Sequence, residues 1–246
     1  MKLTLQQITF VSLIVLSPTL ASLAHAQGGV PLWTNRYAGP AKSTDEALAI
    51  ALDSSGDVFV TGGSDAANGF SDYATIKYSN AGLPLWTNRY NAANNHDSAS
   101  AIVVDSNGSV FVTGASYAGI GTCCDYATIK YSNDGVPLWT RRYNGPGNSD
   151  DWPDAIAVDS TGNVFVTGYS YGANGAIDYA TLAYSNAGVP LWTDRYNGAV
   201  NDGAYIALDS SGNVFISGAS WNGTNYDYVT IKYSSSVPPL ASIFNA

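Results

Sequence analysis

Glutamate occurs once in this 246-residue chain, at Glu46, and charged residues of all kinds make up only 12% of it. A long helical bundle draws heavily on Glu and Lys, so that architecture is excluded. Basic residues are also few: 10 against 19 acidic ones, for a net charge of −9. With scattered Lys and Arg there is nothing to neutralise phosphates, which excludes a nucleic-acid binder. The two histidines are His25 and His96, too few for a multi-His zinc or iron site. Cysteine is confined to the adjacent pair Cys123 and Cys124, so no disulfide framework holds the fold. The one long apolar stretch, Ile8 to Leu23, is broken by Ser12, Ser17, Pro18 and Thr19 and lies at the N-terminus. Apolar residues at 46%, 25 Gly and 17 Tyr, with abundant Val, Thr, Ser and Asn, point to short strands joined by tight turns around a real core.

Lys2, the apolar stretch and Ala24-His25-Ala26 have the order of a secretory signal. Residues 1–26 are therefore expected to be removed before Gln27 and the rest exported, to the periplasm or the exterior, with no membrane span in the mature chain.

The strongest feature is internal repetition. PLWTNRY at Pro31–Tyr37 returns at Pro84–Tyr90, as PLWTRRY at Pro137–Tyr143 and as PLWTDRY at Pro190–Tyr196, so Trp33, Trp86, Trp139 and Trp192 stand 53 residues apart. Between them recur an apolar run ending in Asp53, Asp105, Asp159 and Asp209, a V-F-[VI]-[TS]-G phrase from Val58, Val110, Val164 and Val214, and a D-Y phrase from Asp72, Asp125, Asp178 and Asp227. Each phrase is rich in β-branched and aromatic residues, is bounded by Gly, Asn, Asp or Pro, and reads as a strand. In the first unit strand a is Ala49–Asp53, b is Val58–Gly62, c is Tyr73–Tyr78 and d is Leu85–Tyr90. Short a–b and c–d links force antiparallel neighbours.

A four-stranded meander has two apolar faces, and radial stacking of such sheets covers both. The expected fold is all-β: a β-propeller of four blades of four antiparallel strands over residues 27–234, with 235–246 as a tail. The chain opens on a d strand and ends on a c strand, so the N-terminal strand is expected to close the last blade. An arc that needs a second chain is the alternative.

The phrases D-[SN]-x-G-[ND]-V-[FY]-V-T-G, DY-A-T-[IL]-K-Y-[SN]-x-x-G and LWT-x-RY resemble the bacterial SBBP β-propeller repeats of exported proteins, and DYATIKYSNDG is similar to the related delta-60 repeat. The resemblance covers nearly the whole mature chain. It implies an exported propeller and brings no defined activity, catalytic residue or blade number.

In the meander all b–c and d–a links lie at one end of the blades and carry the long, dissimilar segments. Residues that recur serve the fold, while residues that vary on one face are where a ligand is expected. Trp152 and Trp221 break the Trp repeat and fall there, with Phe70, Tyr117, Tyr171 and Tyr226 interleaved with Asn95, Asp150, Asp151, Asn174 and Asp202. Aromatic platforms beside amides and carboxylates suit a glycan or a protein partner; the plainer alternative is that the rings plug the blade tops. Recurring Arg36, Arg89, Arg142 and Arg195 are expected to pair with Asp72 and its copies.

No catalytic residue is assigned. A nucleophile triad could use only His96, and no spacing selects a carboxylate pair for glycosidic cleavage. No cofactor is expected; Asp150, Asp151 and Asp154 are the best oxygen cluster for Ca²⁺, since the Asp53 turn lacks a calcium-loop spacing. For Cys123-Cys124 a vicinal disulfide, a bridge to another chain and two free thiols are all open, and the vicinal disulfide is adopted by elimination. The reading is an exported non-catalytic recognition module, expected to be a monomer, with a propeller arc completed by another chain and a carboxylate-dependent hydrolase as alternatives.

Overall fold

The a–b turns show how the repeated Asp-x-x-Gly phrase sets the sheets. Asp53 Oδ1 accepts the N–H groups of Ser55 and Asp57, and Asp105, Asp159 and Asp209 do the same two and four residues on. Gly56, Gly108, Gly162 and Gly212 follow with φ of 79°, 80°, 83° and 80°, a left-handed conformation natural only to glycine.

The computed structural model describes residues 29–117, 124–198 and 203–234. The chain divides into Met1–Leu32 and a compact unit, Trp33–Ala246, to which the following refers. The first sheet contains β1 (Asp45–Leu52), β2 (Val58–Asp65), β3 (Ser71–Tyr78) and β4 (Pro84–Tyr90). The second contains β5 (Asp97–Val104), β6 (Val110–Tyr117), β7 (Cys124–Tyr131) and β8 (Pro137–Tyr143). The third contains β9 (Asp151–Val158), β10 (Val164–Tyr171), β11 (Ile177–Tyr184) and β12 (Pro190–Asn197). The fourth has β13 (Tyr205–Leu208), β14 (Val214–Trp221) and β15 (Tyr226–Tyr233). Every sheet is an antiparallel meander in chain order.

The sheets stack face to face, with β1 against β5, β5 against β9 and β9 against β13. Phe59 and Tyr73 of the first sheet enter a socket of Ile102, Val112, Ile129 and Tyr131 on the second. Phe111 and Tyr126 enter the equivalent socket on the third, and Phe165 and Tyr179 that on the fourth. All six rings are essentially inaccessible to water. Each Tyr also donates its hydroxyl to a backbone carbonyl of the next sheet: Tyr73 to Ala127 at 3.2 Å, Tyr126 to Tyr169 at 3.2 Å, Tyr179 to Ala219 at 2.8 Å. Trp Nε1 groups make the same step, from Trp33 to Asn80 O, Trp86 to Asn133 O and Trp139 to Asn186 O.

Two features differ from the sequence expectation. Strands a begin at Asp45, Asp97 and Asp151, and b strands run on to Asp65, Tyr117 and Tyr171, so much of the supposed loop face is paired strand. The added residues include Asp45, Asp97, Asp151, Ser64, Ser116 and Ser170, whose side chains are satisfied in the arginine network described below. Closure also differs. Trp33–Tyr37 is extended but pairs with no strand among the described residues; it lies on the first sheet through Trp33 and through Asn35 Nδ2 donating to Gly82 O. That is the position Asn88 takes on the second sheet, donating to Gly135 O. Side-chain docking to the next sheet holds the segment without strand c of a preceding blade. The last sheet is not beside the first: Ile50 is 65% and Tyr228 96% exposed, where their internal counterparts Ile102 and Tyr126 are 9% and 1%. Four sheets thus form an arc.

The a strands of the first three sheets each carry a bulge, whose extra residue is Leu48, Ser100 or Asp154. These point along the arc: Ser100 Oγ donates to Pro153 O at 2.5 Å, and Asp154 Oδ2 accepts the Ala204 N–H at 3.0 Å. Burial raises the Asp154 carboxyl from 3.8 to about 6, against the lowering effect of the Ala204 N–H. The folded chain then holds more protons than the unfolded one between those values, so this group's contribution is most favourable below about 4 and is lost as pH rises through 6. Asp154→Asn, which keeps an acceptor, is expected to raise stability by about 1–2 kcal/mol at pH 7.5 after allowing for partial solvent screening. The gain should shrink steadily as pH falls from 6 towards 4 in urea titrations of both proteins.

Candidate functional site

The polar end of the sheets holds a repeated network. Arg89 donates to Asp72 and Ser64 and, through Nη1, to the Tyr37 hydroxyl of the preceding segment. Arg142 repeats this with Asp125, Ser116 and Tyr90, and Arg195 with Asp178, Ser170 and Tyr143. The ion pairs measure 2.9, 2.9 and 2.8 Å. Asp45, Asp97 and Asp151 complete it by accepting N–H groups of Gly39, Ala92 and Gly145. Three of the four expected Arg–Asp pairs are therefore present and structural. Burial works to lower the Arg89, Arg142 and Arg195 guanidinium groups, but hydrogen bonds to the Tyr37, Tyr90 and Tyr143 hydroxyls and to the carboxylates of Asp72, Asp125 and Asp178 hold them above their ordinary range.

Beside this network lies a cleft of about 260 Å³ lined by Ser71, His96–Ser98, Ala115, Tyr117 and Trp152. Three sheets contribute, because β3, β5, β6 and β9 all begin or end at this edge. Phe70 stands edge-on to His96 at 5.0 Å, and His96 faces Tyr117 at 6.5 Å. His96 is held by its backbone carbonyl, which accepts the Tyr117 N–H at 3.2 Å, and by Nδ1, which accepts the Ser71 N–H at 3.3 Å. In the neutral ring the proton is thereby placed on Nε2, the free edge of the imidazole. Trp152 is 37% exposed at the opposite wall. Desolvation raises the carboxyl of Asp97 at the floor, and its Oδ2 accepts the Ala92 N–H at 2.7 Å.

Of the residues expected on a ligand face, Phe70, Tyr117 and Trp152 come together here, with Asn95 adjoining as acceptor for the His96 N–H. Tyr171 and Trp221 stand elsewhere, at the ends of β10 and β14; they are the Tyr117 position of the third and fourth sheets. Tyr171 pairs with Tyr169 at 6.4 Å, and Trp221 with Tyr226 at 4.9 Å. Asp150, Asp151 and Asn174 work on the fold: Asp150 accepts the Cys124 N–H, Asp151 is buried and accepts the Gly145 N–H, and Asn174 Oδ1 closes a turn onto the Ala176 N–H. Asp150, Asp151 and Asp154 thus turn to three different partners, and among the described residues no three His, Cys, Asp or Glu side chains form a metal-sized group. Asp202 and Cys123 lie outside the described residues, and with Cys123 the vicinal bridge. Cys124 is buried, and burial pushes its thiol up. As the single His of the expected mature chain, His96 reads in the sequence as a catalytic base, so it is not among the residues expected on the ligand face. Its spacing before Asp97, next to a lone Phe in the preceding b–c link, was the available signal.

Antiparallel four-stranded sheets stacked by repeated junction residues define this molecule as a β-propeller protein. The family model of the SBBP beta-propeller repeat matches residues 138–176, from β8 to the turn before β11. No curated protein matches the chain. Among solved structures, an endo-arabinase from Bacteroides thetaiotaomicron is similar at TM-score 0.46 and 13% identity, over 76% of this chain and 75% of that one. A crystal structure of the eukaryotic initiation factor is similar at TM-score 0.42 and 9% identity; the match covers 67% of this chain and 35% of that longer one. No helix among the described residues is long and apolar enough to cross a membrane.

Proposed function

We propose that the protein is an exported, non-catalytic recognition module that binds a glycan through the cleft between its first three sheets. The observation that carries this is the convergence of His96, Tyr117 and Trp152, with Ser71 of the first sheet, on one small cleft, where Phe70 stands edge-on against His96. Flat apolar walls with an imidazole N–H and the Ser71 and Ser98 hydroxyls at the edge match a sugar ring, which has apolar faces and a polar rim. A recognition role rather than catalysis is supported by Asp97, the carboxylate at the floor, being engaged by a backbone N–H. The test is calorimetric titration with glycans selected on an array. Trp152→Ala and Tyr117→Ala are each expected to weaken binding at least tenfold with the circular dichroism unchanged. Equal affinity in the double variant, or turnover of the bound glycan, overturns the reading.

A further inference from the structure

The two ends of the arc are the two halves of one junction. On the first sheet Ile50, Val60, Ile76 and Tyr78 occupy the positions of Ile102, Val112, Ile129 and Tyr131, and Trp33 and Tyr37 occupy those of Trp86 and Tyr90. Together they line an open cleft of about 330 Å³. In the internal junctions that socket is filled by a Phe and a Tyr of the preceding sheet. The matching pair at the other end of the arc is Phe215 and Tyr228, with Tyr228 96% exposed. Lys232 stands over the Phe215 ring at 5.1 Å as Lys77 stands over Phe59 at 4.9 Å, so this face is already shaped for the junction.

The polar parts match as well. Among the described residues the fourth sheet has strands a to c and no d; Trp33–Tyr37 is a d segment docked on the first sheet without an a-to-c sheet behind it. In the third sheet Tyr179, Ala180, Thr181, Leu182 and Ala183 of β11 pair with Tyr196, Arg195, Asp194, Thr193 and Trp192 of β12. Carried over, Tyr228 meets Tyr37, Val229 meets Arg36 and Ile231 meets Thr34. Arg36, exposed, would then reach Asp227, Ser220 and the Tyr196 hydroxyl, the three partners its counterpart Arg195 finds in Asp178, Ser170 and Tyr143. The Tyr228 hydroxyl would donate to a carbonyl at Gly63 or Ala74.

We propose that the occupant of each open face is a second copy of this chain: the fourth sheet of one copy seats Phe215 and Tyr228 in the first-sheet socket of the other, and the reciprocal contact closes a two-chain ring of eight blades. A head-to-tail contact either closes or propagates. Propeller rings hold about four to eight blades, four sheets of this chain leave their ends apart, and eight is the next whole multiple. This replaces the expected monomer, and it is independent of the glycan reading because the 330 Å³ socket and the 260 Å³ cleft share no residue.

Light scattering on the purified protein is expected to give twice the mass of one chain. Tyr228→Asp, at a side chain exposed in the single chain, should give one chain mass with unchanged circular dichroism. Arg36→Asp should weaken association at least tenfold, and adding Asp227→Arg should restore it. Thr34→Cys with Ile231→Cys, compared with each single variant, should link two chains on a non-reducing gel. A wild type of single-chain mass, a link formed within one chain, or mass that grows with concentration each overturns the two-chain ring.

Discussion

Arg142→Ala is expected to lower the stability of the chain by about 2–4 kcal/mol, read as a shift of the urea midpoint at unchanged slope. Arg142 holds Asp125 at 2.9 Å, the Ser116 carbonyl at 2.7 Å and the Ser116 hydroxyl at 2.5 Å. Its removal strands carboxylates that are themselves nearly out of water: Asp125 is 8% and Asp97 1% exposed. Asp97 is already pushed up by burial, and Arg142 is one of the groups that oppose the rise. The loss should therefore be larger at pH 8 than at pH 5, where a stranded carboxyl can take up a proton. Arg142→Lys should recover only part of it, because an ammonium lacks the planar fork that serves Ser116 and Asp125 together.

Tyr126→Ala is expected to cost more, about 3–5 kcal/mol, because it empties the junction between the second and third sheets. The ring is 1% exposed, packs at 5.5 Å from Tyr143 and lies among Val164, Val166, Ala180 and Leu182. Gly168, opposite the Asp154 bulge, leaves room for it: a Cβ there would stand 2.8 Å from the Tyr126 hydroxyl and 2.0 Å from Trp152 O. Tyr126→Phe removes only the hydroxyl, which is shared between Tyr169 O at 3.2 Å and Ala180 O at 3.5 Å, so a loss of about 1 kcal/mol is expected. Since each sheet touches only its neighbours, emptying this junction should also separate the unfolding of the two halves, seen as a second step in calorimetry.

Most of the fold was legible in the sequence because a 53-residue period repeats both turn chemistry and core residues. Asp53, Gly56 and Gly82 mark turns by local stereochemistry alone, and Trp86 and Phe59 mark faces by recurrence. The strand ends were hidden for a physical reason: Ser64 and Asp72 look like loop residues and become strand only once Arg89 satisfies them from another strand. The bulges were equally hidden, since Leu48, Ser100 and Asp154 share no side-chain type. Closure could not be read because pairing Trp33–Tyr37 with the final strand depends on the angle between sheets, which arises from packing. At the site, Phe70, Tyr117 and Trp152 were legible as aromatics of the long-loop end, and the structure brings them near one another where three sheets meet. The backbone N–H groups that Asp150, Asp151 and Asn174 accept could not be read, because they depend on how the chain turns between strands. Tyr171 and Trp221 end equivalent strands of different sheets, with Tyr226 paired to Trp221, a separation that a linear reading does not display.

The Trp-to-carbonyl links, the Arg-to-Tyr links and the Tyr73–Ala127 and Tyr126–Ala180 hydroxyl links between sheets follow the 53-residue period. A gene segment encoding one period, duplicated or deleted between any two turns, would leave every donor facing an acceptor. Evolution can thus lengthen or shorten such a molecule by unequal recombination alone, without new compensating substitutions at the seam.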